Sequence, residues 1–389
     1  MKSVWNYYYS VTKRLLLLAG QWPYQRRRER LLRVTVTTMI SITYIIPQIG
    51  RIIQCDRNVQ CLLMISPSYL MVVIVLVKVY ACHFNNSKIK HLTDQVYNDW
   101  ENIKIPEEYE IMKTYAAKAG LFSAIYTLYV VTTAVIFYLI SLTPQILDII
   151  LPLNESRPIL LPYEGHYFVD DTQYYFYILF HAIVGSLIIC PGPIAHDCLI
   201  VTYIEHIRRT SGKYLLYIFY DTNIISYCID EPFLVYSTCF IVKSIAQFHV
   251  RYLHIFQKSN HYSYSCSSAR ASEKLKCTYR VLEIARKSDD IIEAGRYMAF
   301  VISQLIHLFC FSLQGQKLLD HSQQICDKIY NGLWYKIPVK SQRMLLHVMR
   351  KCLQPNFLTA GKIYIFSLKS FSTVLQTSMS YFTMLESFE

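Results

Sequence analysis

Apolar residues gather into blocks of about 17 to 25, the length a helix needs to cross roughly 30 Å of hydrocarbon, and polar or basic stretches separate them. This alternation constrains the fold more than any single motif, because a segment in lipid must satisfy its own backbone hydrogen bonds. The chain is therefore read as an all-α polytopic membrane protein. Its 389 residues are 53% hydrophobic and 17% charged, with mean hydropathy +0.23. That composition excludes a disordered or fibrous chain and argues against a string of soluble domains. The net charge of +12 comes from Lys and Arg in the loops, where the positive-inside rule puts them, and not from a nucleic-acid surface.

The first span, "VTVTTMISITYIIPQIG" at 34–50, follows Arg26, Arg27, Arg28, Arg30 and Arg33, which predicts a cytosolic N-terminus. No cleavable signal peptide precedes it. The second span covers 62–82, with Lys78 near its inner end and able to snorkel to the interface. The polar run 83–118 reads as a cytosolic extension of the helices, and the third span covers 119–142. A glycosylation sequon at Asn154 then falls on the outer side of this topology. The fourth span starts at 172 and continues to about 204, kinked at Pro191 and Pro193. From 208 to 288 the pattern weakens: the fifth span fits 232–250 best, interrupted by Lys243, and a basic stretch follows it where the positive-inside rule disfavours one. The sixth span covers 296–313, and the last runs from about 363 to 385. The organisation expected is a cytosolic segment 1–33, a ligand-binding bundle 34–313, a cytosolic segment 314–362 and a final span with the C-terminus, 363–389.

Little in the chain carries reaction chemistry. Twelve cysteines form no C-x-x-C pair and no metal-ligand spacing, although Cys55 and Cys61 share one short loop. His196, Asp197 and Cys198 have the residue types of a catalytic group, but neighbours on a helix do not converge on one point. His181 and His307 lie within spans, where a hydrogen-bonded core role fits best and a ligand contact stays open. His249 and His254 lack a metal spacing. With no nucleotide loop, serine-hydrolase elbow or zinc-protease motif, the chain is not read as an enzyme, and neither metal nor cofactor is expected.

The last span differs from the others. At helical spacing Lys369, Thr373, Gln376, Thr377, Ser380, Thr383 and Ser387 form one polar stripe, with Phe371, Val374, Leu375, Phe382 and Leu385 between. Polar groups at membrane depth must face protein or a water-filled cavity, so the stripe is either a packing seam or the lining of a pore.

Residues 307–355, "HLFCFSLQGQKLLDHSQQICDKIYNGLWYKIPVKSQRMLLHVMRKCLQP", and "LTAGKIYIFSLKSFSTVLQTSMSYFTML" after them resemble insect odorant receptors, particularly the hymenopteran expansions. The resemblance covers about 296–388. It implies the seven-transmembrane odorant receptor fold, with a cytosolic N-terminus and an extracellular C-terminus. It also implies an odour-specific subunit that joins the odorant receptor co-receptor in a heterotetrameric, non-selective cation channel of olfactory neurons. In this family the segment before the last helix anchors subunits together, which here includes Trp334 and Tyr335. The last helix lines the pore, with Thr377 and Ser380 on its polar face and Met384, Ser387 and Phe388 at the gate. A pocket for a small volatile or cuticular hydrocarbon-like ligand is expected in the outer bundle. By span position its contacts are Tyr69 and Val73 from the second span, and Tyr126, Tyr129, Thr133 and Phe137 from the third. The fourth span offers Tyr177, Phe180, His181 and Val184, and the sixth Gln304. Two alternatives stay open. A gustatory receptor has a related fold, but its usual C-terminal ending is replaced here by "SYFTMLESF". The unfamiliar residues 208–288 could also reflect a mis-joined exon and a non-functional variant. A transporter would need repeated halves, and a G-protein-coupled receptor the opposite orientation.

Overall fold

A computed structural model of the chain describes residues 2–55, 59–152, 157, 159–210, 289–332, 334–336, 339, 342–343, 346, 349–350, 357–360 and 364–387. The expected fifth span, its basic loop, the Asn154 sequon and Phe388 lie outside the described residues, as do the side chains of Met384 and Ser387. The helices in chain order are α1 (Lys2–Tyr7), α2 (Ser10–Ala19), α3 (Arg27–Gln54), α4 (Val59–Phe84), α5 (Asn86–Glu101), α6 (Pro106–Ile150), α7 (Tyr175–Ile189), α8 (Pro191–Thr210), α9 (Asp289–Tyr330) and α10 (Leu368–Ser387). Among the described residues three helical stretches are long and apolar enough to cross a membrane, Arg27–Gln54, Pro106–Ile150 and Tyr175–Arg208; α4 and α5, which meet at 68°, make a fourth if that bent pair is one span.

The expected spans sit inside longer helices. The third is the middle of the 45-residue α6, and the sixth runs on through the polar residues up to Tyr330. The kink in the fourth span is the break between α7 and α8 at Cys190. Pro191 and Pro193 both fall in the first turn of α8, where a missing N–H leaves nothing unsatisfied.

α8 is the hub. Residues 194–207 are buried throughout, as expected for a helix enclosed on all sides, and α8 packs on α2, α4, α6, α7 and α9. The N-terminal segment completes this core: Trp5, Tyr9, Leu16 and Trp22 pack with Leu199, Ile200, Tyr203 and Ile204 of α8 and Ile89, Leu92 and Val96 of α5. α2 stops at Gly20, whose φ of 69° suits glycine. A Cβ there would also lie 2.9 Å from Arg33 Cβ and 3.0 Å from the Arg30 carbonyl.

A second cluster joins α3, α4 and α7 to the loop before α7, through Tyr44, Val72, Val75, Val79, Tyr163 and Ala182. The loop is fastened to α3 by the His166 amide, which donates to the Pro47 carbonyl at 2.8 Å. A Cys55–Cys61 disulfide links the ends of α3 and α4.

α10 begins at Leu368 and not near 363, because the apolar residues before it form strands. Thr359–Ala360 and Tyr364–Ile365 pair antiparallel, and the Phe366 amide donates to the Leu358 carbonyl at 2.8 Å. The helix then starts on two caps. Ser367 Oγ accepts from the Ser370 amide at 3.1 Å, and Gln316 Oε1 of α9 accepts from the Leu368 amide at 3.2 Å. The first turn of α10 is thus bonded to α9.

Candidate functional site

Where α4, α6, α8 and α9 meet, the bundle holds a polar network. Lys78 Nζ of α4 donates to both oxygens of Asp197 on α8, at 2.7 and 3.0 Å. Tyr126 Oη of α6 donates to Asp197 Oδ2 at 3.0 Å and lies 2.7 Å from His307 Nδ1 of α9. His196 Nδ1 approaches Asp197 Oδ1 at 3.3 Å. The Lys78 and Asp197 side chains are only 8% and 3% exposed. The sequence reading expected Lys78 to snorkel outwards; it instead turns inward, because a carboxylate waits 119 positions along the chain and a buried charge requires a partner. Of the grouping His196, Asp197 and Cys198, the first two meet, but the Cys198 thiol turns away to the Ser123 carbonyl, at 4.0 Å, so the three do not converge on one point.

Next to this network stand several of the residues expected to contact ligand. Tyr129 Oη donates to the Ser303 carbonyl of α9 at 3.1 Å, and Gln304 Nε2 lies 3.7 Å from Met71 Sδ of α4. Tyr126, Tyr129, Gln304 and His307 therefore share the α4–α6–α9 junction. Tyr69, Val73, Thr133 and Phe137 are half-buried on α4 and α6. The fourth-span candidates point elsewhere. Tyr177 and Phe180 are 74% and 67% exposed and Val184 is exposed too, while His181 Nε2 bonds Thr43 Oγ1 of α3 at 2.9 Å. The hydrogen-bonded role expected for His307 is present in its bond to Tyr126; what the sequence reading missed is the network as a whole, whose signal is two opposite charges and two histidines placed within separate apolar spans. A cavity of about 10 Å³ beside His196, lined by Ala81, Cys82, Leu199 and Tyr203 among others, has room for about one water and not for an odorant.

α10 carries the second part of the site. Phe371 and Val374 pack on the core, and Phe371 meets Phe309 of α9 with ring centroids 5.4 Å apart. The opposite side leaves Lys369, Thr373, Gln376, Thr377 and Ser380 exposed. The hydroxyls of Thr373, Thr377 and Ser380 donate to the carbonyls of Lys369, Thr373 and Gln376 at 3.0, 2.8 and 3.0 Å. The stripe foreseen from spacing is thus exposed from Lys369 to Ser380, and there, among the described residues, it is not a packing seam within this chain; the side chain of Thr383, like that of Ser387, lies outside the described residues. After α9, Trp334 and Tyr335 occupy a short turn, Trp334–Lys336, with Tyr335 58% exposed.

The family model described as 7tm Odorant receptor matches residues 278–379. Curated relatives align over the same share of the chain. Odorant receptor Or2 of Anopheles gambiae is 30% identical over 105 residues, 27% of this chain and 27% of that one. Odorant receptor 10 of Aedes albopictus is 28% identical, again over 27% of each. The aligned part thus spans about a quarter of the length of these relatives. The fold likeness covers much more. The olfactory receptor OR5 of Machilis hrabei in complex with eugenol superposes with a TM-score of 0.69 over 99% of this chain and 98% of that one, at 12% identity. The structure of OR5 without that ligand gives 0.67 over 98% and 97%. These relatives are receptors and not enzymes. The chain thus has the fold of a solved insect olfactory receptor along its whole length, and from 278 to 379 its sequence is similar to the odorant receptor family.

Proposed function

We propose that the chain is an odour-specific subunit that assembles with the odorant receptor co-receptor into a heterotetrameric, non-selective cation channel in the plasma membrane of olfactory neurons. A small hydrophobic odorant, volatile or cuticular hydrocarbon-like, bound in the aromatic bundle between α4, α6 and α9, opens the channel. The observation that carries this reading is the exposed polar face of α10. A face of hydroxyls and amides in hydrocarbon needs water or another subunit beside it, and faces gathered from several subunits around one axis supply a hydrated path. Thr377 and Ser380 line that path, and Met384, Ser387 and Phe388 form its gate. Trp334 and Tyr335, at the far end of α9, anchor neighbouring subunits. The N-terminus is cytosolic and the C-terminus extracellular. The arginines at the start of α3, Arg26 to Arg33, support this orientation, as does the Cys55–Cys61 disulfide at the other end of α3, since disulfides persist on the oxidising side.

The test is expression with the co-receptor in an otherwise silent cell, followed by an odorant panel. Odour-evoked cation currents are expected with the co-receptor and absent without it. Equal currents in its absence would contradict the assembly. Met384→Ala is expected to raise basal current by widening the gate; unchanged basal current in a surface-delivered variant removes Met384 from that role.

A further inference from the structure

The direction of each hydrogen bond in the buried network follows from proton counting. Lys78 Nζ has only protons to give, and Asp197 as a carboxylate only lone pairs to receive them. Tyr126 owns one hydroxyl proton, and its oxygen lies 3.0 Å from Asp197 Oδ2 and 2.7 Å from His307 Nδ1. The charged acceptor takes that proton, because bonds to an ionised acceptor are the stronger ones. The short contact from Tyr126 Oη to His307 Nδ1 then needs the proton on the histidine side, so Nδ1–H donates to the phenol. Lys78 already balances Asp197, and a second positive charge here would be buried without a counter-ion. His307 is therefore neutral, in the Nδ1–H tautomer. Its Nε2 carries a bare lone pair.

The network is sealed at one end and open at the other. Side-chain exposure rises from 3% at Asp197 and 8% at Lys78 to 28% at His307. Around the open end, Tyr129 Oη is committed to the Ser303 carbonyl and the Gln304 amide to Met71. Among the described residues His307 Nε2 has no hydrogen-bond partner. Phe311 holds the ring from the next turn of α9, edge to face with centroids 5.0 Å apart.

We propose that His307 Nε2 is a specificity-determining acceptor at the floor of the ligand site, locked in acceptor form by Tyr126 and Asp197, and that it selects odorants carrying a hydroxyl donor, alcohols and phenols, over ethers of the same skeleton. The inference rests on the ligand site proposed above. An alcohol gives its proton to Nε2. An ether has no proton to give and sets its oxygen against the nitrogen lone pair.

The probes are matched pairs, hexan-1-ol with hexyl methyl ether and phenol with anisole, applied to the receptor co-expressed with its co-receptor. Wild type is expected to respond to each alcohol at a concentration about tenfold lower than to its ether, the order of one net hydrogen bond. His307→Asn keeps a donor towards Tyr126 and removes Nε2, and should bring the ratio close to one. Tyr126→Phe releases the tautomer lock, letting Nε2–H donate to ethers, and should shrink the ratio by improving the ether response. A wild-type ratio near one, or a ratio unchanged in surface-delivered His307→Asn, overturns the proposal. If the wild-type complex reaches the surface and answers no probe, the channel reading fails separately. Thermal stability of the purified complex then decides: a shift selective for alcohol that His307→Asn abolishes sustains the inference, and equal shifts with alcohol and ether overturn it.

Discussion

Asp197 receives Lys78 and Tyr126 inside the bundle, so removing one partner leaves a charge without compensation. Lys78→Met is expected to destabilise the fold by about 3–5 kcal/mol and to lower surface delivery sharply. Adding Asp197→Leu should recover much of the loss, because a buried ion pair replaced by apolar groups is often nearly neutral. Surface biotinylation and the thermal stability of the purified protein would report both effects; a single variant as stable as wild type contradicts the pairing. Outside the membrane, burial raises the Tyr24 phenol above its ordinary value, and its hydrogen bond to Asp94 adds to the shift. A raised value means the folded state favours the protonated phenol. That stabilisation is complete below the unfolded value of about 10 and is lost as pH rises through the folded one. Hydrogen exchange in the N-terminal segment should therefore speed up above pH about 10 in wild type, and Tyr24→Phe should flatten that rise. An identical alkaline profile in the variant would remove Tyr24 as its source. At this scale the sequence was half legible. Lys78, Asp197 and His307 each stood out as polar groups in apolar spans, but nothing in a linear string says that residues 119 positions apart share one hydrogen bond.

At the level of elements, α9 crosses closely over Phe366, the residue after the second strand, at Gly315. A Cβ on Gly315 would lie 2.1 Å from the Phe366 carbonyl oxygen. Backbone cannot rotate away as a side chain can, so Gly315→Ala is expected to abolish surface delivery, with no rescue by Phe366→Ala. Western blots of surface and total protein measure it, and normal delivery of Gly315→Ala would show that the two elements separate readily. The helices themselves were easy to read, because hydrophobic blocks and prolines carry long-range consequences along a single helix. The start of α10 was not. Ile363, Tyr364, Ile365 and Phe366 are apolar enough to pass for the first turn of a span. Their β-branched and aromatic character is a strand signal, and Ser367 is a helix cap. Five residues cannot outweigh an expected span length unless those local preferences are counted. The hydroxyl stripe, by contrast, was fully visible in the spacing, because an exposed helix face depends on periodicity alone.

For the molecule as a whole, the N-terminal segment is part of the core and not a tail. Trp5, Tyr9 and Leu16 cover α8, the helix that packs on α2, α4, α6, α7 and α9. Deleting residues 2–20 would uncover that hub and is expected to give intracellular, aggregated protein. Size-exclusion chromatography of a fluorescent fusion would detect this, and a monodisperse truncated receptor would mean α8 does not need the cover. Sequence reading assigned this segment to the cytosol and missed its packing, since tertiary burial of a short aromatic helix leaves no periodic trace. The exposed polar face of α10 has one further consequence. Its hydroxyls direct their protons to the carbonyls one turn back, so what Thr373, Thr377 and Ser380 present outward is oxygen lone pairs. Chemically such a surface behaves like a row of carbonyls. In the proposed pore those three hydroxyls would offer a sodium or potassium ion ligands to replace hydration water, while the donors on the same face are Lys369 and the Gln376 amide. Three hydrogen bonds thus line the face with acceptors, with no acidic side chain between 368 and 380.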